Sequence, residues 1–269
     1  MLYLADIGVN LADKRFHADL DDVLKRARQA GVQLQVITGT SVEGSEAAIK
    51  LASEHAELFC TVGIHPHHAK ELDRDALARI KELAANGNVR AIGETGLDFN
   101  RDFSPRPAQE KALAEQLQLA SEVALPAFLH QRDAHERFLP MLKEQREKLP
   151  NAVVHCFTGN KKELFDYLDI DCHIGITGWV CDERRGLELQ SLIKNIPLNR
   201  LMIETDSPYL TPRNMDGKPP KSGRNEPFLL TWVLKKVAEC YDCSVEEVGQ
   251  AAWQNSLVFF GISESELNE

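Results

Sequence analysis

The fold is decided by residues 126–157, where the apolar run PAFLH (126–130) precedes an amphipathic segment, AHERFLPMLKEQREK (134–148), and the apolar run AVVHCF (152–157) follows. Short continuous apolar runs are typical of strands buried in a parallel sheet. Apolar residues in the intervening segment recur at helical spacing. This strand–helix–strand pattern predicts two parallel strands joined by a right-handed crossover.

The same alternation extends over the whole chain of 269 residues. Six more apolar runs are YLADIG (3–8), LQVIT (34–38), LFCTVG (58–63), VRAIG (89–93), CHIGIT (172–177) and RLMIE (200–204). Amphipathic stretches separate the runs, and two further helical stretches follow the last one. Eight strand–helix units in this length predict an α/β protein, a (β/α)8 TIM barrel forming one domain over 1–269.

The composition is that of a globular protein, with 43% hydrophobic and 27% charged residues. The chain has no apolar run of membrane-spanning length, and its first residues lack the features of a signal peptide. We therefore expect a cytoplasmic protein without membrane association. The formal charge of −10 disfavours sequence-independent binding to long duplex DNA, but it leaves room for a locally basic cleft.

Titratable side chains follow several of the predicted strands. In barrels of this class the chemistry lies at the carboxyl ends of the strands, where such side chains meet. Four of them, from four strands, can surround a cation: Glu94, His130, His155 and Asp206. Histidine–carboxylate sets suit Zn²⁺ or Mn²⁺, and with more oxygen and water they suit Mg²⁺. Each residue alone has a structural interpretation, but the four together predict a metal site.

Other residues near the strand ends are candidates for substrate contact. We assign His65 and Arg132 to the substrate, because a guanidinium suits phosphate oxygens, and leave His67 open. A locally basic rim is predicted from Arg101, Arg132, Arg184, Arg185, Arg213, Lys218, Lys221 and Arg224. Rings that could stack on bases are Phe99, Phe157, Trp179 and Tyr209.

Seven motifs together resemble the TatD family of metal-dependent deoxyribonucleases. In chain order they are GIHPH, AIGETGLDF, HQRDAHERF, HCFTG, GITGWVCDERRG, IETDSPYL and GRNEP. The resemblance covers nearly the whole chain and implies a barrel of the amidohydrolase-like, metal-dependent hydrolase type. It also implies a 3′→5′ exonuclease that hydrolyses phosphodiester bonds of single-stranded DNA and RNA, with a role in DNA repair after oxidative damage.

The resemblance further implies roles for single residues. Glu94 matches a catalytic, metal-bridging glutamate, His130 and His155 match metal ligands, Asp206 matches a catalytic aspartate that also binds metal, and His65 matches a histidine on the phosphate side. The cofactor expected is one or two divalent cations per chain, Mg²⁺ first, with Mn²⁺ or Zn²⁺ as alternatives. The partner expected is a single-stranded DNA or RNA end, bound by a monomer without an obligate protein partner.

The first predicted strand departs from the family at DIGVN (6–10). Most relatives carry His-x-His there, whereas this chain has Gly8 and Asn10. Loss of two nitrogen ligands predicts a weakened second cation site, especially for Zn²⁺. Asp6 and Asn10 remain as weak contacts for a water-rich Mg²⁺.

Two alternatives stay open on the sequence alone. One is a metal-dependent amidohydrolase or lactonase acting on a small molecule, although no lysine stands at the end of the fourth strand, where Glu94 lies. The other is a non-catalytic barrel with a degraded metal site, because a fold does not determine a function.

Overall fold

Each of the eight apolar runs forms a strand in the computed structural model, which describes residues 2–215 and 223–268. Lys218 and Lys221, predicted as part of a basic rim, lie outside the described residues. The strands are β1 (Leu4–Val9), β2 (Val32–Ile37), β3 (Leu58–Val62), β4 (Val89–Asp98), β5 (Ala127–Arg132), β6 (Ala152–Val154), β7 (His173–Ile176) and β8 (Leu201–Ile203). They follow the sequence order β1 to β8 in one sheet, as predicted.

Helices alternate with these strands. Within the described residues the α-helices are α1 (Leu20–Gln29), α2 (Val42–Glu54), α3 (Arg74–Leu83), α4 (Arg106–Val123), α5 (His135–Arg146), α6 (Lys161–Leu168), α7 (Leu187–Leu192), α8 (Leu230–Tyr241) and α9 (Val245–Phe260). None of these helices combines the length and the apolar character needed to cross a bilayer.

Local sequence signals set the limits of the helices. In α2, the Ser41 hydroxyl accepts the backbone N–H of Gly44 at 3.0 Å and so caps the first turn. In α9, the Ser244 hydroxyl does the same for Glu247, and Gly261 ends the helix in the left-handed conformation with φ 59°.

Two compact units divide the chain. One comprises 1–37, 156–161 and 174–269, and the other comprises 38–155 and 162–173. The single domain over 1–269 therefore stays a prediction. In the first unit β1 pairs with β2 in parallel, and β7 pairs with β8. All six residues of β1 are buried, as expected for a strand covered on both faces.

In the second unit β3, β4, β5 and β6 pair in parallel and in order. β4 runs for ten residues, to Asp98, and so is longer than the predicted run. Glu94 consequently lies inside the strand and not beyond its end. Gly96 and His130 are register partners, which brings the polar part of β4 beside the end of β5.

Candidate metal centre

Glu94 lies between two glycines in the sequence GETG, and the backbone requires both of them. Gly93 has φ 144° and Gly96 has φ 156°, a region that residues with side chains rarely adopt. A Cβ at Gly93 would overlap the carbonyl oxygen of Phe128, and one at Gly96 would overlap that of His130. The glycines therefore let β4 run close to β5 and fix Glu94 beside His130.

Three imidazoles converge on one oxygen of the buried Glu94 carboxylate. Oε1 lies 2.7 Å from Nε2 of His155, 2.9 Å from Nδ1 of His130 and 3.2 Å from Nε2 of His65. The Phe128 ring packs on the His155 ring with centroids 4.7 Å apart, which helps to hold that imidazole in place. The structure thus brings together Glu94, His130 and His155, three of the four predicted metal ligands.

The electrostatics favour an ionised carboxylate at the centre of this cluster. Burial alone would raise the pKa of Glu94, but the electrostatic attraction of the His155 and His65 rings and the hydrogen bonds from His130 and His155 outweigh it. The pKa of Glu94 accordingly lies well below its ordinary value. Burial lowers the pKa of His65 to about 4 against the attraction of Glu94, so this imidazole is neutral near pH 7.

The hydrogen bonds of His65 decide which of its nitrogens carries the proton. The backbone N–H of His67 donates to Nδ1 of His65 at 3.0 Å, so Nδ1 must be unprotonated. In a neutral ring the proton then resides on Nε2, which faces Glu94. His65, Glu94 and His130 place their ligand atoms within 4.8 Å of one another, an arrangement that could hold a metal ion once Nε2 gives up its proton. Substrate contact for His65 stays a prediction.

His130 provides a direct test of whether the cluster suits a cation. Its Nδ1 faces Glu94, while the buried Nε2 has no hydrogen-bond partner within the described residues. The nearest carboxylate oxygen, Oδ2 of Asp98, is 3.6 Å away, which is too long for a hydrogen bond. Because an unpartnered buried nitrogen is costly, this donor set fits a divalent cation.

The buried Asp98 forms a second pair, with the half-buried His67, beside His130. Oδ2 of Asp98 lies 2.7 Å from Nε2 of His67, and Oδ1 accepts the backbone N–H groups of Asn100 and Arg101. Burial raises the pKa of Asp98, but the neighbouring imidazoles of His130 and His67 and the backbone hydrogen bond from Arg101 lower it by more, so that the net shift is downward.

Asp206, the fourth predicted ligand, follows β8 in the first unit. Its backbone N–H donates to the carbonyl oxygen of Gly8 at 2.9 Å, which attaches it to β1. The side-chain amide of Asn10 donates to Oδ1 of Asp206 at 3.1 Å and to the carbonyl oxygen of Ser207 at 3.3 Å. Asn10, predicted as a weak metal contact, is thus a partner of the Asp206 carboxylate.

Asp6 and Glu204 are both fully buried, and each carboxylate accepts a hydrogen bond from a backbone N–H. Oδ1 of Asp6 accepts the N–H of Thr205 at 2.8 Å, and Oδ2 accepts the Thr205 hydroxyl at 2.6 Å. Burial raises the pKa of Asp6 well above its ordinary value, and the Thr205 bonds offset only part of that effect. Oε1 of Glu204 accepts the N–H of Cys156 at 2.6 Å. Both oxygens of Asp6, predicted as a weak metal contact, are therefore engaged with Thr205.

The comparison with protein families settles what kind of chain carries this centre. The model of the TatD-related DNase family matches residues 5–261. The chain belongs to the TatD-related DNase family. A curated member, the 3′-5′ ssDNA/RNA exonuclease TatD of Rahnella sp. (strain Y9602), is 54% identical over 235 residues, covering 87% of this chain and 89% of its own. The namesake from Enterobacter lignolyticus (strain SCF1) is 48% identical over 258 residues, covering 96% and 99%.

Solved structures of TatD proteins share the fold. A TatD family hydrolase from Entamoeba histolytica superposes with a TM-score of 0.89 at 27% identity, covering 98% of this chain and 100% of its own. A TatD homologue from Escherichia coli gives 0.88 at 27% identity, covering 97% and 98%. The predicted (β/α)8 barrel of the amidohydrolase-like type is thereby confirmed, and this TatD-type fold implies a divalent metal.

The arginines predicted to form a basic rim in this TatD family member differ in their partners. Arg224 donates to Asp19 and Glu226, with separations of 2.6–2.9 Å, and Arg185 donates to Asp182 at 3.0 Å. Arg132 is exposed, and its guanidinium forms no ion pair within residues 2–215 and 223–268. The guanidinium of Arg132 is thus available for a phosphate group, since no carboxylate of the described residues pairs with it.

Proposed function

We propose that this protein is a divalent-metal-dependent 3′→5′ exonuclease acting on single-stranded DNA and RNA. Membership of the TatD-related DNase family supports a nuclease, and the curated relatives carry that name. The observation that carries the proposal is the convergence of imidazole nitrogens on Oε1 of Glu94, at 2.7–3.2 Å, beside the unpartnered Nε2 of His130. Such a set is suited to a divalent cation that takes part in hydrolysis.

Glu94, His130, His155 and Asp206 are the residues that would hold one or two cations. A divalent cation bound there lowers the pKa of a water molecule and offsets negative charge on phosphate oxygens. We propose Mg²⁺ as the metal, with Mn²⁺ or Zn²⁺ as alternatives, because two of these four residues are carboxylates and positions 8 and 10 carry no histidine.

The remaining steps belong to residues of the chain. Asp206 takes the proton of the attacking water while the Asn10 amide keeps its carboxylate oriented. The water oxygen attacks phosphorus, the bond from phosphorus to the 3′ oxygen of the preceding nucleotide breaks, and that oxygen takes a proton from solvent water as it leaves. Arg132 and His65 contact phosphate oxygens and stabilise the charge that develops on them.

The proposal is tested with end-labelled single- and double-stranded DNA and RNA. The protein is first stripped of metal and then given Mg²⁺, Mn²⁺ or Zn²⁺ alone. We expect stepwise shortening from the 3′ end of single strands, supported best by Mg²⁺ and lost in Glu94→Gln and Asp206→Asn. Small lactones and amides, assayed in parallel, should stay intact. Full activity in both variants would overturn the proposal.

A role in DNA repair, a cytoplasmic location and a monomeric state complete the proposal. Their support is the resemblance to the TatD family. A deletion strain should be more sensitive to hydrogen peroxide, and the wild-type gene should restore resistance where a Glu94→Gln copy does not. Equal sensitivity of the deletion strain and its parent would contradict the repair role.

A further inference from the structure

Tyr209 is an exposed aromatic residue three positions after Asp206. It is 49% exposed, whereas Phe157, which the sequence offered as an equal candidate for base stacking, is buried. A ring of this size is normally stabilised by burial, so its exposure in a loop beside a catalytic candidate calls for an explanation. Most large apolar side chains of the described residues are buried.

The backbone of Tyr209 is held at both ends. Its N–H donates to the carbonyl oxygen of Asp206 at 3.0 Å, and its own carbonyl oxygen accepts the side-chain amide of the fully buried Asn225 at 2.6 Å. The ring is therefore exposed on a fixed support and at a fixed distance along the chain from Asp206. Such preorganisation reduces the entropy lost when a ligand binds.

A guanidinium supports the ring. The Cζ atom of Arg15 lies 4.4 Å from the Tyr209 centroid, a cation–π geometry. Arg15 is itself fixed, because Nε donates to Oδ1 of Asp13 at 2.9 Å and Nη2 donates to Oδ2 at 2.7 Å. Since Asp13 neutralises this arginine, its evident role is to hold the ring rather than to bind a phosphate.

Asp13 and Arg15 are also connected to Asp206 through hydrogen bonds of Asn10. The N–H of Asp13 donates to the carbonyl oxygen of Asn10 at 2.9 Å, and the Asn10 side chain donates to Asp206. Asp206, Asn10, Asp13, Arg15 and Tyr209 thus form a closed circuit of contacts within one unit. The exposed ring and the candidate catalytic carboxylate share one rigid frame.

We propose that the Tyr209 ring is a stacking platform for an unpaired nucleobase at the end of the single-stranded substrate. The inference rests on the proposed exonuclease function and adds a subsite to it. Every base has a π-face, so a ring of this kind binds single strands with little regard to sequence. A base inside a duplex is stacked on both faces, so the platform favours single strands.

The test uses two single strands that differ only at the 3′-terminal unit, which carries 2-aminopurine in one and an abasic tetrahydrofuran residue in the other. Binding is followed by fluorescence anisotropy of a 5′ dye, and stacking is followed by quenching of 2-aminopurine. We expect wild-type protein to bind the base-bearing strand about tenfold more tightly, the size expected from one base–aromatic stack. Tyr209→Ala should lose this preference and the quenching, whereas Tyr209→Phe should keep both.

Tyr3→Ala is the matched control, because Tyr3 is 48% exposed and contacts Trp253 before the start of β1. Thermal melting must show that each variant is folded, and Tyr209→Leu provides a second variant without a ring. Equal preference and quenching in wild type, Tyr209→Ala and Tyr209→Leu would overturn the platform. Base-dependent binding without any cleavage would support the platform and contradict the exonuclease.

Discussion

The side-chain amide of Asn10 donates a hydrogen bond to Oδ1 of Asp206 at 3.1 Å, joining residues 196 positions apart. The resemblance to the TatD family leads us to expect a histidine where this chain has Asn10. The residue after β1 instead provides a donor that orients a carboxylate. Hydrogen bonds to charged groups contribute about 1.5–3 kcal/mol, enough to fix the direction of one carboxylate oxygen.

Asn10→Ala should lower the rate of Mg²⁺-supported cleavage roughly tenfold, because the Asp206 carboxylate loses its donor. The substitution should lower kcat more than it changes KM, since Asn10 contacts Asp206, the proposed general base, rather than the substrate. Steady-state cleavage of a labelled single strand measures both constants. The control is Asn195→Ala, which removes an amide that donates to the carbonyl oxygen of Leu192. Similar kcat values in the two variants would contradict this role.

Glu94→Gln should abolish Mg²⁺ binding and reduce cleavage by about a thousandfold or more, because the centre of three imidazoles loses its negative charge. Isothermal titration with Mg²⁺ and the cleavage assay check this separately.

The control for Glu94 is another buried histidine network. His135 lies 2.8 Å from Oδ2 of Asp166 and 2.9 Å from the Tyr167 hydroxyl. His135→Gln should lower the free energy of unfolding by about 1–3 kcal/mol and leave Mg²⁺ affinity unchanged. If both variants lose metal binding equally, loss of fold and not loss of a ligand is the cause.

Dialysis against a chelator should remove all activity, and added Mg²⁺ should restore it. The purified protein should contain less than two metal ions per chain, because positions 8 and 10 lack imidazoles and oxygen-rich sites hold Mg²⁺ loosely. Elemental analysis before and after dialysis gives the stoichiometry. Two zinc ions retained through dialysis would be the contrary result.

Substitutions of Arg132 and Arg224 should have different effects, the first on substrate binding and the second on stability. Arg132→Gln should raise KM about tenfold without changing the thermal midpoint, because the exposed guanidinium has no partner in the described chain. Arg224→Gln should instead lower the free energy of unfolding by about 2 kcal/mol and leave KM unchanged, because it weakens a network with Asp19 and the buried Glu226. A raised KM in Arg224→Gln would restore it to the predicted basic rim.

The fold was predictable because buried parallel strands leave a direct trace in the sequence. Runs such as LFCTVG and AVVHCF admit few other structures when amphipathic segments separate them. The gathering of Glu94, His130 and His155 followed from the fold alone, since parallel strands end on the same side. No comparable rule located the end of β4, which continues through the polar GETGLD.

Side-chain partners were beyond prediction because they join residues far apart in the sequence. Asp6 looked like a ligand in DIGVN, but Thr205 engages both of its oxygens. The tautomer of His65 is set by a hydrogen bond from the backbone N–H of His67, which the sequence does not reveal. Nothing in the sequence distinguishes Arg224 from Arg132 as a phosphate contact, but in the structure Arg224 is paired with Asp19 and Glu226.

Gly93 and Gly96 carry no chemistry, yet they constrain how this enzyme family can diversify. Any side chain at either position would push against the carbonyl oxygen of Phe128 or His130. In a saturation library selected for nuclease activity, both positions should therefore be as intolerant of replacement as Glu94. A designer who transplants this centre into another barrel must keep both glycines of GETG as well as the charged groups. Without the glycines, β4 could not approach β5 closely enough to place Glu94 beside His130.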